Sequence, residues 1–197
     1  MKTNWKKMMF AALVILYSGY SAFAFEDSLK VNDQKSFDLV LSDVSNSTKI
    51  TLADQRNNTL FEKTIKEGES FMKTFNLELL PSGKYKVEIE NATRIKSYLF
   101  EVDTDSLLMA DARTKEIYKP IVHEKGSAVY VTQFSPENKP LYIAIFNDRN
   151  ELLHEETLKG RIDLGKIYDF SKSENGLYRF YLESNGKSYD ELVYVEK

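Results

Sequence analysis

Gly83-Lys84-Tyr85-Lys86-Val87-Glu88-Ile89-Glu90 alternates apolar with charged residues, and 93 positions later Gly176-Leu177-Tyr178-Arg179-Phe180-Tyr181-Leu182-Glu183 repeats its core side. A period of two is the signature of a strand with one buried face, because successive side chains of an extended chain point to opposite sides. The same offset carries Ile50-Thr51-Leu52-Ala53-Asp54-Gln55-Arg56-Asn57-Asn58 onto Ile143-Ala144-Ile145-Phe146-Asn147-Asp148-Arg149-Asn150-Glu151. Leu99 and Val102 fall on Leu192 and Val195. Read at one constant offset without a gap, the chain is two copies of one unit, 25–104 and 114–197, joined by 105–113.

Alternating segments recur in each copy, near 36–41, 48–53, 59–66, 71–77, 83–91 and 97–103, and near 128–134, 141–146, 152–158, 164–170, 176–183 and 188–195. Turn residues separate them: Asn57-Asn58, Pro81-Ser82-Gly83, Asn147-Asp148-Arg149-Asn150, Glu174-Asn175-Gly176 and the hairpin pair Asn185-Gly186. Short strands at this spacing predict an all-β fold of two tandem immunoglobulin-like sandwiches, with a barrel as the alternative. Gly83 and Gly176 are expected at positive φ or in a crowded turn. Leu107-Leu108-Met109-Ala110 makes the joint too apolar for a free linker.

The N-terminus is read as a cleaved signal peptide. Lys2, Lys6 and Lys7 precede an apolar run from Met8 to Phe23, and Ala22 and Ala24 are the small residues that signal peptidase requires. Removing residues 1–24 takes away three lysines and no acid, so the net charge of −3 becomes −6. A mildly acidic product has no footprint for nucleic acid, and no membrane span is expected after signal removal. Cysteine is absent, so the fold must hold by packing without disulfides, a habit of bacterial export rather than of animal secretion.

Catalytic chemistry is not expected. The histidines, His123 and His154, sit in no motif, and there is no thiol. His154 is read as a solvent-facing strand residue whose counterpart in the first copy is Phe61. Asp103-Thr104-Asp105 with Asp111 lacks the glycine and terminal glutamate of a helix-loop-helix calcium site, so neither metal nor other cofactor is expected.

The second copy contains Leu141-Tyr142-Ile143-Ala144-Ile145-Phe146, then Asn175-Gly176-Leu177-Tyr178-Arg179-Phe180, and a final Glu191-Leu192-Val193-Tyr194-Val195-Glu196-Lys197. This stretch resembles the C-terminal sorting domain of type IX secretion cargo, a small β-sandwich. The resemblance implies export to the cell surface or medium, with the export machinery as a partner.

Parity separates an inner from an outer face. The inner positions agree: Ile50, Leu52, Tyr85, Val87, Ile89, Phe100 and Val102 match Ile143, Ile145, Tyr178, Phe180, Leu182, Val193 and Val195. The outer positions do not. Where the first copy has Lys49, Ala53, Lys84, Glu88 and Glu101, the second has Tyr142, Phe146, Leu177, Tyr181 and Tyr194, with Leu99 answered by Leu192. Those six residues are the candidate partner-binding face, because tyrosine combines contact area with a hydrogen-bonding tip and recognition surfaces favour it. The expected function is that of an exported, non-catalytic binding or structural protein of the bacterial periplasm or cell surface. Its partner would be another protein or a cell-surface component. The alternative is a type IX substrate whose second domain is the sorting signal.

Overall fold

The structure, a computed structural model, describes residues 28–32, 35–104, 106–109 and 115–196. The signal segment with Ala22 and Ala24, and Asp105 and Asp111 of the joint, lie outside these. The strands are β1 (Ser28–Asn32), β2 (Ser36–Leu41), β3 (Thr48–Asp54), β4 (Thr59–Ile65), β5 (Phe71–Asn76), β6 (Gly83–Glu90), β7 (Arg94–Val102), β8 (Leu107–Met109) and β9 (Lys115–Tyr118). They continue as β10 (Ile121–Lys125), β11 (Ala128–Phe134), β12 (Leu141–Phe146), β13 (Leu152–Leu158), β14 (Asp163–Asp169), β15 (Gly176–Ser184) and β16 (Lys187–Val195).

Every pairing is antiparallel. In the first copy a β1-β2-β5 sheet faces β4-β3-β6-β7-β8, and in the second β10-β11-β14 faces β13-β12-β15-β16. Three strands facing four, with β8 and β9 added at the β7 edge of the first copy, is the immunoglobulin-like sandwich expected from the sequence. Each closes over its own apolar cluster, with Phe37, Ile50, Val87 and Phe100 in one and Val131, Ile143, Phe180 and Leu182 in the other, all fully buried.

The copies share local devices. Both bulge at the end of the third strand, at Leu52/Ala53 and at Ile145/Phe146. Asp54 Oδ1 then accepts the amides of Arg56 (2.8 Å) and Asn58 (2.9 Å), and Asn147 Oδ1 those of Arg149 (3.0 Å) and Glu151 (2.9 Å). Asn57 and Asn150 take the left-handed conformation at φ 63° and 61°, which asparagine tolerates. The Gly-x-Tyr elements are tyrosine corners: the Tyr85 hydroxyl donates to the Pro81 carbonyl and that of Tyr178 to the Glu174 carbonyl, each at 2.7 Å. Gly83 and Gly176, at φ 159° and 157°, open these strands, and nothing crowds Gly176 within 4 Å of where a side chain would start.

One part of the repeat reading is corrected. The offset of 93 holds for the other six strand pairs but fails between β2 and β11. Phe37, Leu39 and Leu41 are buried in β2, whereas β11 buries Val129, Val131 and Gln133, an offset of 92. A one-residue slip turns every side chain of a strand to its other face. Val131 therefore pairs with Val122 as Leu39 pairs with Leu29, and Phe134, which the gapless alignment placed opposite buried Leu41, points outward.

The described part of the joint, β8, adds to the first sheet, and so does β9. β8 and β9 both pair with the outer edge of β7, through Val102↔Leu107 and through Arg94↔Tyr118 to Ser97↔Lys115. Ile95 and Ile117 lie opposite each other and are buried. Lys119 donates its amide to the Thr93 carbonyl (2.8 Å) and its ammonium to Glu90 (2.7 Å). From the other copy, Gln133 Nε2 donates to the Tyr118 carbonyl at 2.8 Å, and Phe134 packs edge-on against the Tyr118 ring at 4.9 Å.

Candidate recognition face

All six predicted face residues lie on β12, β15 and β16, with their side chains on the outer side of the four-stranded sheet. Cross-strand register puts Tyr142 opposite Glu183, Phe146 opposite Arg179, Arg179 opposite Leu192, Tyr181 opposite Asp190 and Leu177 opposite Tyr194. Two zones result. In the first, Tyr142, Phe146 and Tyr181 are half-buried by one another and by polar neighbours. The Arg179 guanidinium covers the Phe146 ring at 4.1 Å while bonding Asp190 Oδ1 (2.9 Å) and Asn150 Oδ1 (2.6 Å). The Tyr142 hydroxyl donates to Glu155 Oε2 at 2.7 Å, which pushes its pKa up, and its ring meets Tyr181 at 6.4 Å. The second zone is open: Leu177, Leu192 and Tyr194 are 42%, 63% and 57% exposed.

The first copy carries an ionic lattice on the same sheet. Lys49 pairs with Glu62 at 2.9 Å and Lys86 with Glu88 at 3.3 Å, while the Ser97 hydroxyl also donates to Glu88. Its β7 edge is covered by β8 and β9, whereas among the described residues β16 pairs with β15 alone. Arg179 was missed in the sequence. It stands at an outward position of the predicted strand 176–183, where parity places it on the face although an apolar pattern does not.

His154 is exposed on β13, as expected, and also has polar partners. It occupies the place where Phe61 packs against the first core, and its Nε2 lies 3.1 Å from Glu156 Oε1. Glu156 also takes the Tyr168 hydroxyl (3.0 Å) and the Lys166 ammonium (3.2 Å). Burial pushes the Glu156 carboxyl up, but the bonds from His154, Tyr168 and Lys166 together outweigh it and hold the pKa below its ordinary value. Tyr168, half-buried against this carboxylate, is pushed well up, mainly by burial. The group ties β13 to β14 across the open side of the sandwich. In the first copy aromatic packing does this: Phe61 meets Phe75 edge-on at 5.0 Å, with the Lys73 ammonium 5.5 Å from both rings. His123 is exposed on β10. Among the described residues no three His, Asp or Glu side chains converge to hold a metal, and no helix is long and apolar enough to cross a membrane.

No family model and no curated protein matches the chain. Among solved structures it is similar to the BSP domain of a biofilm-associated protein, with 13% identity, TM-score 0.31 and coverage of 86% of this chain and 29% of that one. It is similar to the FN1–FN3 domains of chicken CNTN1, with 10% identity, TM-score 0.32 and coverage of 87% and 65%. It is also similar to dimeric latent PorU from Porphyromonas gingivalis, with 10% identity, TM-score 0.33 and coverage of 88% and 19%. The chain thus spans less than two thirds of each of these relatives. The fold assignment rests on strand order and register.

Proposed function

We propose that this chain is an exported, non-catalytic protein of the bacterial periplasm or cell surface, and that its second sandwich recognises a protein or cell-surface partner through the β12-β15-β16 face. One observation carries the reading: two sheets with matched cores differ in their exteriors, the first set with the Lys49–Glu62 and Lys86–Glu88 pairs beside Leu99, the second with three tyrosines, Phe146 and two leucines. An exposed row of Leu177, Leu192 and Tyr194 has no role in the core beneath it, and contiguous apolar surface of this kind marks interaction sites. The open zone is the place to perturb, because Tyr142, Phe146 and Tyr181 are already engaged with their neighbours. Leu192→Lys combined with Tyr194→Glu is expected to release the protein from the surface fraction of the native cell while the melting temperature stays within about 2 °C. Retention at the surface with unchanged stability would reject the face as the binding site.

The resemblance of the second copy to type IX sorting domains supports a second reading, in which this sandwich is the export signal. The two readings differ in where the protein resides. A periplasmic pool with Lys197 intact favours the first. Surface or medium material lacking everything after about Arg113 favours the second.

A further inference from the structure

The opposite sheet of the second sandwich has an exterior that the recognition face does not account for. Its β11 slip turns Tyr130, Thr132 and Phe134 outward. Register then aligns Ile121 with Thr132 and Thr132 with Gly165, and sets Phe134 opposite Asp163. Tyr118, Ile121, Thr132, Phe134, Asp163 and Gly165 line a groove of about 430 Å³. Its aromatic wall is preset, because the Gln133 amide holds the Tyr118 carbonyl at 2.8 Å and the Tyr118 and Phe134 rings meet at 4.9 Å and 77°. Phe134 is 43% exposed and Ile121 47%.

Two observations indicate the occupant. Gly165 lies inside β14 with an ordinary extended backbone, and a side chain there would meet only Thr132 Cγ2 at 3.9 Å and the Val131 carbonyl at 4.0 Å. The fold therefore does not require glycine, which weakens a strand and leaves room for something to approach the backbone. The first copy has Met72 at this position, 80% exposed. The second observation is charge. Of the two ionic groups at the groove, Lys119 is neutralised by Glu90 at 2.7 Å, while the Asp163 carboxylate has no hydrogen-bond or ion-pair partner among the described residues. The groove therefore offers aromatic faces, an aliphatic floor without a side chain and one unneutralised carboxylate.

We propose that this groove takes an arginine side chain of a polypeptide partner. The aliphatic stem lies over Gly165 and Ile121, the guanidinium stacks against Phe134, and its N–H groups donate to the Asp163 carboxylate. A planar cation fits both requirements, being attracted to ring faces and bonding carboxylates with a rigid fork of donors. The site is on the sheet opposite the recognition face and does not depend on it.

The test is an NMR titration of residues 25–197, which contain every described strand, with butylguanidinium and with its neutral isostere butylurea. Butylguanidinium is expected to give saturable amide shifts at Thr132, Phe134 and Gly165, and to bind about fivefold more tightly than butylurea, the factor an exposed cation contact supplies. Asp163→Asn is expected to reduce that preference to the smaller part supplied by the Phe134 ring alone. Gly165→Met, which installs the first copy's side chain, is expected to abolish the shifts while leaving the rest of the spectrum in place. Shifts that fail to saturate, that map to other residues, or that keep an undiminished preference for the cation in Asp163→Asn would each overturn the proposal. The Leu192→Lys/Tyr194→Glu variant keeps the titration intact, so failure of the recognition face and failure of the groove are told apart.

Discussion

Tyr178→Phe removes one oxygen from the second sandwich and nothing else. The ring is 6% exposed and packs on Phe170 at a centroid distance of 4.6 Å, contacts that phenylalanine retains. What disappears is the 2.7 Å bond from the hydroxyl to the Glu174 carbonyl. Glu174 is exposed, so water replaces the lost donor and the cost stays at the net value of a hydrogen bond, about 1 kcal/mol, without the larger penalty of a buried orphan. For a domain of this size about 1 kcal/mol lowers the melting temperature by about 4–8 °C. Calorimetry of the full chain reads this directly, with Tyr85→Phe as the matched change in the first copy, where the acceptor is the Pro81 carbonyl. If the sandwiches melt separately, each substitution moves one transition. If the β9 seam makes them melt as one unit, each moves the common transition by about 2–4 °C, since the same free energy acts on a larger unfolding entropy. A shift below about 1 °C for either variant would refute the corner as a stabilising element.

Other outcomes follow from features already described. Glu156→Gln is expected to cost about 1 kcal/mol at neutral pH, because three donors converge on a carboxylate that is 22% exposed. The folded Glu156 pKa is depressed, so its contribution is present above the ordinary glutamate range and is lost as pH falls through the folded value. The gap between variant and parent in chemical denaturation should therefore close on acidification, and a gap constant with pH would contradict the network. Hydrogen exchange should show the β7 amides that face β8 and β9 more protected than the matching amides of β16, because only the first copy covers that edge. Equal protection would mean that the seam opens readily.

What was legible in the sequence was what is decided locally. Alternation in β6 and β15, the Asn and Gly turns, and the shared Gly-x-Tyr element marked strands and corners, and parity assigned the face of Tyr142, Phe146, Leu177, Tyr181, Leu192 and Tyr194. What was missed depends on distant partners. β1 and β10 are five-residue strands with half-exposed apolar positions, too weak a pattern to read alone. β8 and β9 are strands only because the edge of β7 is there to pair with them. In β11, Val129, Tyr130, Val131 and Phe134 put apolar residues on both parities. Local pattern could not choose between them, and the choice falls to Val122 and Leu164, which Val131 and Gln133 meet across the sheet. That ambiguity hides the groove, since a constant offset of 93 sets Phe134 on the core residue Leu41.

The β9 seam has a mechanical consequence. The chain leaves β9 at Tyr118, beside Arg94, the end at which β7 begins. Tension that draws the two sandwiches apart therefore runs along the paired strands rather than across them. The Arg94↔Tyr118 to Ser97↔Lys115 pairs are loaded together in shear and do not peel one after another. Until those pairs give way β9 ties the second sandwich to the first sheet, and once they do the two sandwiches separate while both cores stay folded.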